Sequence, residues 1–181
     1  MINLAIILSE GFEEIEAISV IDILRRGMCK VEIYGIGDLR VTGAHGITIE
    51  CDEVFDKYSL PNYDGVVLVG GMKNAINLSN EKGVISLLNE YVNLGKLVAG
   101  ICATPSVVFS KTDILNGKEC TCYPSMELIG NLNDAKFIDK DVVVCDNIIT
   151  SQSPFTAGKF ALEILKYFDC DYLTVEKELR G

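Results

Sequence analysis

Short apolar runs alternate along the chain with longer amphipathic segments. The apolar runs predict strands at residues 4–8, 29–36, 65–71 and 96–101. Apolar residues at helical spacing predict helices at residues 13–26, 83–95, 104–115 and 153–168. Two alternating segments around turn residues predict hairpins at 40–51 and 141–151. This order of elements is typical of an α/β sandwich with a mostly parallel sheet.

Composition indicates one folded domain over residues 1–181, because 49% of the residues are hydrophobic and four are proline. The net charge of −10 argues against nucleic acid and anionic membrane surfaces as partners. No apolar run approaches the ~20 residues of a membrane helix. The opening residues lack the basic region of a signal peptide, so they predict a strand.

The chain has seven cysteines and one histidine, His45. An odd number of cysteines, in a chain long enough to bury a core, favours a reducing cytoplasm. Cys120 and Cys122 are spaced C-x-C, and no second cysteine pair or histidine cluster accompanies them. We therefore expect no metal and no cofactor. All cysteines except Cys102 are expected to be inert core residues.

The sequence GICATP places Cys102 where a predicted strand gives way to a predicted helix. The strand at 65–71 ends in Gly70-Gly71, and another strand precedes residues 9–16. Carboxyl ends of neighbouring parallel strands meet at one crevice, where ligands bind. A sharp turn at Cys102 would resemble a nucleophile elbow, with the following helix lowering the thiol pKa. The backbone N–H groups of Gly71 and Ala103 could form an oxyanion hole.

Several segments together resemble the ThiJ/PfpI family, specifically the branch of the Parkinson-disease-associated protein deglycase and its small bacterial relatives. They are LAIILSEGFEEIEAISVIDILRRG, YDGVVLVGGMKNAINL, GKLVAGICATPSVV, ECTCYP and IITSQSPFTAGKFALEIL. The resemblance covers nearly the whole chain. It implies a flavodoxin-like three-layer sandwich, of the class I glutamine amidotransferase type, that forms a homodimer.

The resemblance also implies roles for individual residues. Cys102 is expected to be the reactive, oxidation-prone cysteine, and Glu16 a protonated carboxyl that hydrogen-bonds its sulfur. Gly71 and Ala103 would supply the backbone N–H groups. The neighbouring acids at the helix start, by contrast, are expected to be solvated, ionised and cheap to replace; they are Glu13 and Glu14.

A secondary pocket is expected to include Gly70, Tyr123 and Gln152, and two of these depart from the family pattern. Tyr123 stands where many relatives carry histidine, and Gln152 stands where relatives often carry arginine. A Cys-His pair of the protease or amidotransferase kind therefore looks absent, which disfavours amidase and protease activity. Gln152 removes a cation that would support a sulfinate.

Two functions remain open at this point. One is a glutathione-independent glyoxalase or deglycase that acts on small aldehydes such as methylglyoxal, with Glu16 as proton shuttle. The other is a non-enzymatic redox sensor or chaperone-like protein regulated by oxidation of Cys102. Both functions need the same reactive cysteine, so the sequence does not separate them.

Overall fold

A central sheet of seven strands organises the protein, whose computed structural model describes residues 1–58, 60 and 62–181. In spatial order the strands are β10 (Val142–Cys145), β11 (Ile148–Ser151), β7 (Leu97–Ile101), β6 (Gly65–Leu68), β1 (Asn3–Leu8), β2 (Lys30–Gly35) and β5 (Glu53–Val54). Within this sheet β10 and β11 form the predicted hairpin, and the other neighbours are parallel. Two small sheets pair β3 (Arg40–Thr42) with β4 (Thr48–Glu50) and β8 (Glu119–Cys120) with β9 (Lys136–Phe137).

Helices cover both faces of the central sheet. They are α1 (Glu14–Arg26), α2 (Met72–Asn80), α3 (Lys82–Asn93), α4 (Thr104–Val107), α5 (Met126–Gly130), α6 (Ala157–Tyr167) and α7 (Tyr172–Arg180). Helices α1, α6 and α7 share one apolar cluster with the sheet, and α2, α3 and α5 share the other. Within the described ranges, no helix combines the length and the apolar character needed to cross a bilayer.

Strand β1 shows why the apolar runs are continuous. Leu4, Ile6 and Leu8 point into the cluster with α1 and α6, whereas Ala5 and Ile7 point into the cluster with α2 and α3. A strand buried on both faces carries apolar residues at every position rather than at alternate ones. The predicted α/β three-layer fold with a mostly parallel sheet is confirmed.

The predicted helix at 104–115 is wrong in length. Helix α4 ends at Val107, and a 3₁₀ turn follows at Phe109–Lys111. The hydroxyl of Ser110 donates to the carbonyl of Ser106 at 2.5 Å, and that of Thr112 donates to the carbonyl of Phe109 at 2.6 Å. Such side-chain bonds compete with a continuing helix. Helices α2, α5 and α7 were not predicted from the sequence pattern.

Packing, rather than backbone conformation, explains the glycine at the end of α1. Gly27 follows the helix, but its φ of −76° does not require glycine. The left-handed residue is Met28, with φ of 62°. Glycine is needed at 27 for space, because a Cβ there would lie 2.3 Å from Cδ2 of Leu165 on α6. Gly27 therefore lets α1 and α6 approach each other closely.

Candidate active site

The carboxyl ends of three adjacent parallel strands, β1, β6 and β7, bring the candidate residues together. Cys102 follows β7 directly and has φ of 64°, in the left-handed region that side chains other than glycine rarely adopt. Its N–H donates to the carbonyl of Ser151 at 2.9 Å, and its carbonyl accepts from the N–H of Tyr123 at 2.8 Å. These two bonds hold the strained turn in place, as the predicted elbow requires.

The glycine pair after β6 makes room for the sulfur. A Cβ at Gly70 would lie 2.5 Å from Cβ and 3.0 Å from Sγ of Cys102. The same Cβ would lie 2.8 Å from Oε2 of Glu16. Gly71 has φ of 86°, and a Cβ there would meet the carbonyl oxygen of Gly11 at 2.2 Å. Gly70 is therefore required for the close approach of Cys102 and Glu16, and Gly71 for the close approach of the backbone at Gly11.

Glu16 lies on the buried face of α1 and is fully inaccessible to solvent. Its Oε2 accepts the N–H of Gly70 at 2.6 Å, and the sulfur of Cys102 lies beside the same carboxyl. No partner is found for its Oε1 among the described residues. Burial raises the pKa of Glu16 to about 7, against the opposing effect of the Gly70 and Cys102 hydrogen bonds. The carboxyl therefore exchanges its proton near neutral pH.

The protonation of the Cys102 thiol depends on the charge of the Glu16 carboxyl. Burial, followed by the charge and hydrogen bond of Glu16, raises the thiol pKa above its ordinary value. Hydrogen bonds from the N–H groups of Ala103 and Gly71 act in the opposite, predicted direction. The expected net lowering of the pKa is wrong, because α4 has only four residues and the sulfur is mostly buried. When Glu16 is protonated, its charge no longer opposes the thiolate.

Two buried polar side chains that sequence reasoning missed hold the end of β6 in position. The amide of Asn74 donates to the carbonyls of Val69 and Gly70 at 2.9 and 3.1 Å. The hydroxyl of Thr104 also donates to the carbonyl of Val69, at 2.8 Å. Oδ1 of Asn74 accepts the N–H of Ser9 after β1. Asn74 thus joins two strand ends. The sequence gives little signal for this role, because α2 was not predicted.

The two departures from the family pattern lie differently in the structure. Tyr123 contacts Cys102 through its backbone N–H, and its side chain is exposed. Gln152 follows the residue that binds the N–H of Cys102, but its side-chain amide donates to Asp139 at 2.9 Å. The structure therefore brings the backbone of Tyr123 to the elbow and places Gln152 next to it in the chain, with both the backbone N–H and the side-chain amide of Gln152 bonded elsewhere.

Comparison with known proteins identifies the family. The family model described as DJ-1/PfpI matches residues 3–167. The chain belongs to the DJ-1/PfpI family. It is also similar to the crystal structure of Drosophila melanogaster DJ-1beta, with a TM-score of 0.92 and 34% identity. That match covers 98% of this chain and 97% of that one.

Three curated relatives are also similar to this chain, and two of them are named for an activity. Protein DJ-1 homolog A of Arabidopsis thaliana is 35% identical over 89% of this chain, which covers only 41% of that protein. Deglycase TK1284 of Thermococcus kodakarensis is 29% identical over 89% of this chain and 96% of that protein. Glutathione-independent glyoxalase DJR-1.2 of Caenorhabditis elegans is 31% identical over 87% of this chain and 83% of that protein.

A second buried carboxylate, Glu14, corrects one prediction for this DJ-1/PfpI chain. Its Oε1 accepts the N–H groups of His45 at 2.6 Å and Ile47 at 3.4 Å, and its Oε2 lies 2.9 Å from Nδ1 of His45. Burial opposes ionisation, but these hydrogen bonds lower the pKa of Glu14 to about 2. Glu14 is ionised as predicted, but the expectation that it is solvated is wrong. It fastens the β3–β4 hairpin to α1.

Glu13 completes a group with Glu14 and His45 whose potential metal-ligand atoms all lie within 4.8 Å of one another. Oε1 of Glu13 lies 3.8 Å from Nδ1 of His45. The bonds of Glu14 to the hairpin already account for the position of the imidazole. The cluster is therefore explained as a charge-assisted contact between α1 and the hairpin.

Proposed function

We propose that the protein is a glutathione-independent glyoxalase or deglycase that acts on methylglyoxal-type aldehydes through Cys102. The observation that carries the proposal is the contact between the Cys102 thiol and a fully buried Glu16 whose pKa is about 7. A carboxyl with that pKa both accepts and returns protons at neutral pH. The deglycase and glyoxalase names of two relatives support the same chemistry.

The reaction can be followed atom by atom on these residues. Glu16 takes the thiol proton while the sulfur of Cys102 attacks the aldehyde carbon, and then protonates the new oxygen to give a hemithioacetal. Glu16 next removes the hydrogen on that carbon and returns it to the neighbouring carbonyl carbon, while the hydroxyl proton moves to the former carbonyl oxygen, which leaves a thioester of lactate. One water hydrolyses the thioester, so that methylglyoxal and water become lactate. The N–H groups of Gly71 and Ala103 stabilise the negative charge that develops beside the sulfur.

Redox sensing is the second candidate, and the observation that favours it is Oε1 of Glu16, which has no partner within the described part of the chain. Two equivalents of hydrogen peroxide would convert the Cys102 thiol to a sulfinic acid and release two waters. A protonated Glu16 can donate a hydrogen bond to an oxygen of that sulfinate. In this function the protein catalyses no reaction of a substrate, and the oxidation state of Cys102 is the signal.

A methylglyoxal assay separates the two candidates. Lactate formation by the purified protein is compared with that of Cys102→Ser and of Cys145→Ser, a second partly buried free cysteine on edge strand β10. We expect activity in the wild type and Cys145→Ser, and none in Cys102→Ser. Mapping of limiting iodoacetamide should place the first adduct on Cys102. Peroxide-driven sulfinate at Cys102 without any lactate formation would support the sensor instead.

A homodimer is part of the proposal, and exposed residues on α1 support it. Ile15 and Ile18 are 59% and 49% exposed, and exposed Ile47 lies on the hairpin that α1 holds. Apolar surface of this kind is typically covered by a second copy. Sedimentation should give about twice the 19.8 kDa chain mass. Ile18→Glu should give a monomer, and Leu173→Glu on α7 should not.

A reducing, cytoplasmic location is also part of the proposal, and the seven free cysteines support it.

A further inference from the structure

Helices α1 and α6 end in the same way, and each ending is followed by a cysteine. After α1, Met28 has φ of 62°, and the N–H of Cys29 donates to the carbonyl of Leu24 at 3.1 Å. After α6, Asp169 has φ of 54°, and the N–H of Cys170 donates to the carbonyl of Leu165 at 3.0 Å. A left-handed residue followed by a bond of this span is the Schellman ending. Each cysteine therefore occupies the same position relative to its helix.

The two endings meet because α1 and α6 lie side by side. Both helices start at the carboxyl ends of the parallel strands, where the candidate active site lies, and finish at the amino ends of those strands. Gly27 allows their ends to touch, since a Cβ there would collide with Leu165. Cys29 belongs to the apolar cluster on this face, Cys170 packs against the same cluster, and Cys170 lines a groove with the residues that precede Cys29. Burial, followed by the charge and hydrogen bond of Cys170, raises the pKa of Cys29, and both thiols are free. Cys29 and Cys170 are thus neighbours at the amino ends of the parallel strands, on the opposite side of the molecule from Cys102.

We propose that Cys29 and Cys170 form a second oxidation site, in which a peroxide joins them as a reversible disulfide. The inference goes beyond the proposed function, because it requires no chemistry at Cys102. Its physical basis is the shared packing of the two cysteines at the ends of α1 and α6 together with their unequal exposure. Cys29 is 6% exposed, whereas Cys170 is partly exposed and lines a surface groove of 460 Å³.

The unequal exposure sets the order of the two steps. The sulfur of Cys170, reached through the groove, attacks one oxygen of hydrogen peroxide, and the thiol proton leaves with the other oxygen as water, which gives a sulfenic acid. The sulfur of Cys29 then attacks the sulfenic sulfur and expels the second water. In total, two thiols and one peroxide give one disulfide and two waters. Burial raises the pKa of Cys29, so the second step should accelerate as pH rises.

The disulfide would fasten the last helix. Helix α7 begins two residues after Cys170, and Val175 is its buried residue. Val175 lines the same groove as Cys170, together with Met28. A bond from Cys170 to the start of β2 therefore anchors a helix that has little buried surface of its own. Long-range cross-links of this kind restrict the unfolded chain, and we expect Tm to rise by roughly 5 °C.

The test uses the full chain with Cys102→Ser, so that the first oxidation site is absent. The protein is treated with one equivalent of hydrogen peroxide, free thiols are blocked with N-ethylmaleimide, and peptides are mapped without reduction. We expect a peptide cross-linked through Cys29 and Cys170, a rise in Tm that dithiothreitol reverses, and slower hydrogen exchange in α7. Adding Cys145→Ser should change none of these results.

Three outcomes would overturn the proposal. The first is sulfinic acid at Cys170 with Cys29 still alkylated by N-ethylmaleimide. The second is a cross-link between the neighbouring Cys120 and Cys145 in place of one between Cys29 and Cys170. The third is a cross-link that survives in Cys170→Ser, a variant that alters one partly exposed side chain and should fold. In that variant Cys29 should instead remain reduced, and the peroxide should leave Tm unchanged.

Discussion

Glu14 and Glu16 lie two residues apart at the start of α1, and both are buried, yet their pKa values move in opposite directions. Glu14 accepts hydrogen bonds from two backbone N–H groups of the β3–β4 hairpin and from the imidazole of His45. Glu16 accepts from Gly70 and contacts a thiol, and no partner is found for its second oxygen among the described residues.

The difference shows that burial alone does not decide the charge of a carboxyl. Burial disfavours the ionised form of both side chains, and the number of hydrogen-bond donors then determines the outcome. Glu14 has enough donors to remain ionised, and it acts as a structural anchor. Glu16 has too few, so it keeps a proton near neutral pH beside a thiol. Such an incompletely satisfied, titratable group is typical of a functional site.

The largest expected effect is on catalysis. Glu16→Gln keeps a hydrogen-bonding side chain but cannot carry a proton, so we expect lactate formation to fall on the order of 10²–10⁴-fold. Glu14→Gln, the matched change two residues away, should lower it by less than about tenfold, because Glu14 does not reach the thiol. Both variants should still be alkylated first at Cys102. Equal losses of lactate formation in the two variants would show that the assignment of Glu16 as the proton-transferring carboxyl is wrong.

A second prediction concerns the stability cost of the buried Glu16. Its folded pKa of about 7 exceeds the ordinary value of 4.5, so its contribution to stability is complete below pH 4.5 and is lost as pH rises through 7. This difference corresponds to about 3 kcal/mol. Relative to Glu16→Gln, the wild type should therefore lose about that much free energy of unfolding between pH 4.5 and pH 8 in urea titrations. A pH-independent difference between the two proteins contradicts the assignment.

Glu14→Ala should show the opposite behaviour. It removes the acceptor of the His45 and Ile47 N–H groups, so we expect the free energy of unfolding to fall by about 1–3 kcal/mol at neutral pH. The pKa of Glu14 is about 2 in the folded protein, so this contribution is present above pH 4.5 and fades as pH falls towards 2.

Glu13→Ala is the matched control for Glu14→Ala. The Glu13 carboxylate lies 3.8 Å from the same imidazole, and we expect its removal to cost about 0.5 kcal/mol. Denaturant titrations of both variants at neutral and acidic pH test the comparison. A loss as large in Glu13→Ala would show that the hairpin depends on the charge of the whole cluster rather than on the acceptor at 14.

The two carboxyls also show what sequence can and cannot predict here. The strand ends and the turn at Cys102 follow from apolar runs and from glycines, which are local signals. Glu14 was misjudged because its donors lie in a hairpin 31 residues away. The thiol pKa was misjudged because its direction depends on depth of burial. Pattern alone indicated neither quantity, since both arise from packing between distant segments.

The smallest expected effect concerns the side chain of His45. Replacing it removes the imidazole that binds Glu14 but keeps the backbone N–H groups that bind the same carboxylate. The hydrogen bond to Glu14, followed by the charges of Glu13 and Glu14, raises the pKa of His45. Its stabilising effect is therefore complete below its ordinary pKa of 6.5 and disappears as pH rises through the higher folded value. The imidazole is 70% exposed, so solvent and salt screen the contact and the effect is small.

We accordingly expect His45→Ala to lower Tm slightly at about pH 5.5 and not at about pH 9.5, and added salt to reduce the difference. The N–H of residue 45 remains in this variant, so the bond between the hairpin backbone and Glu14 is kept. Glu14→Ala measured beside it should be far more destabilising at both pH values. His45→Ala could instead lower Tm as much as Glu14→Ala does, at both pH values. The imidazole, rather than the backbone N–H groups, would then be the main hydrogen-bond partner of Glu14, and the pKa difference between Glu14 and Glu16 would depend on that one side chain.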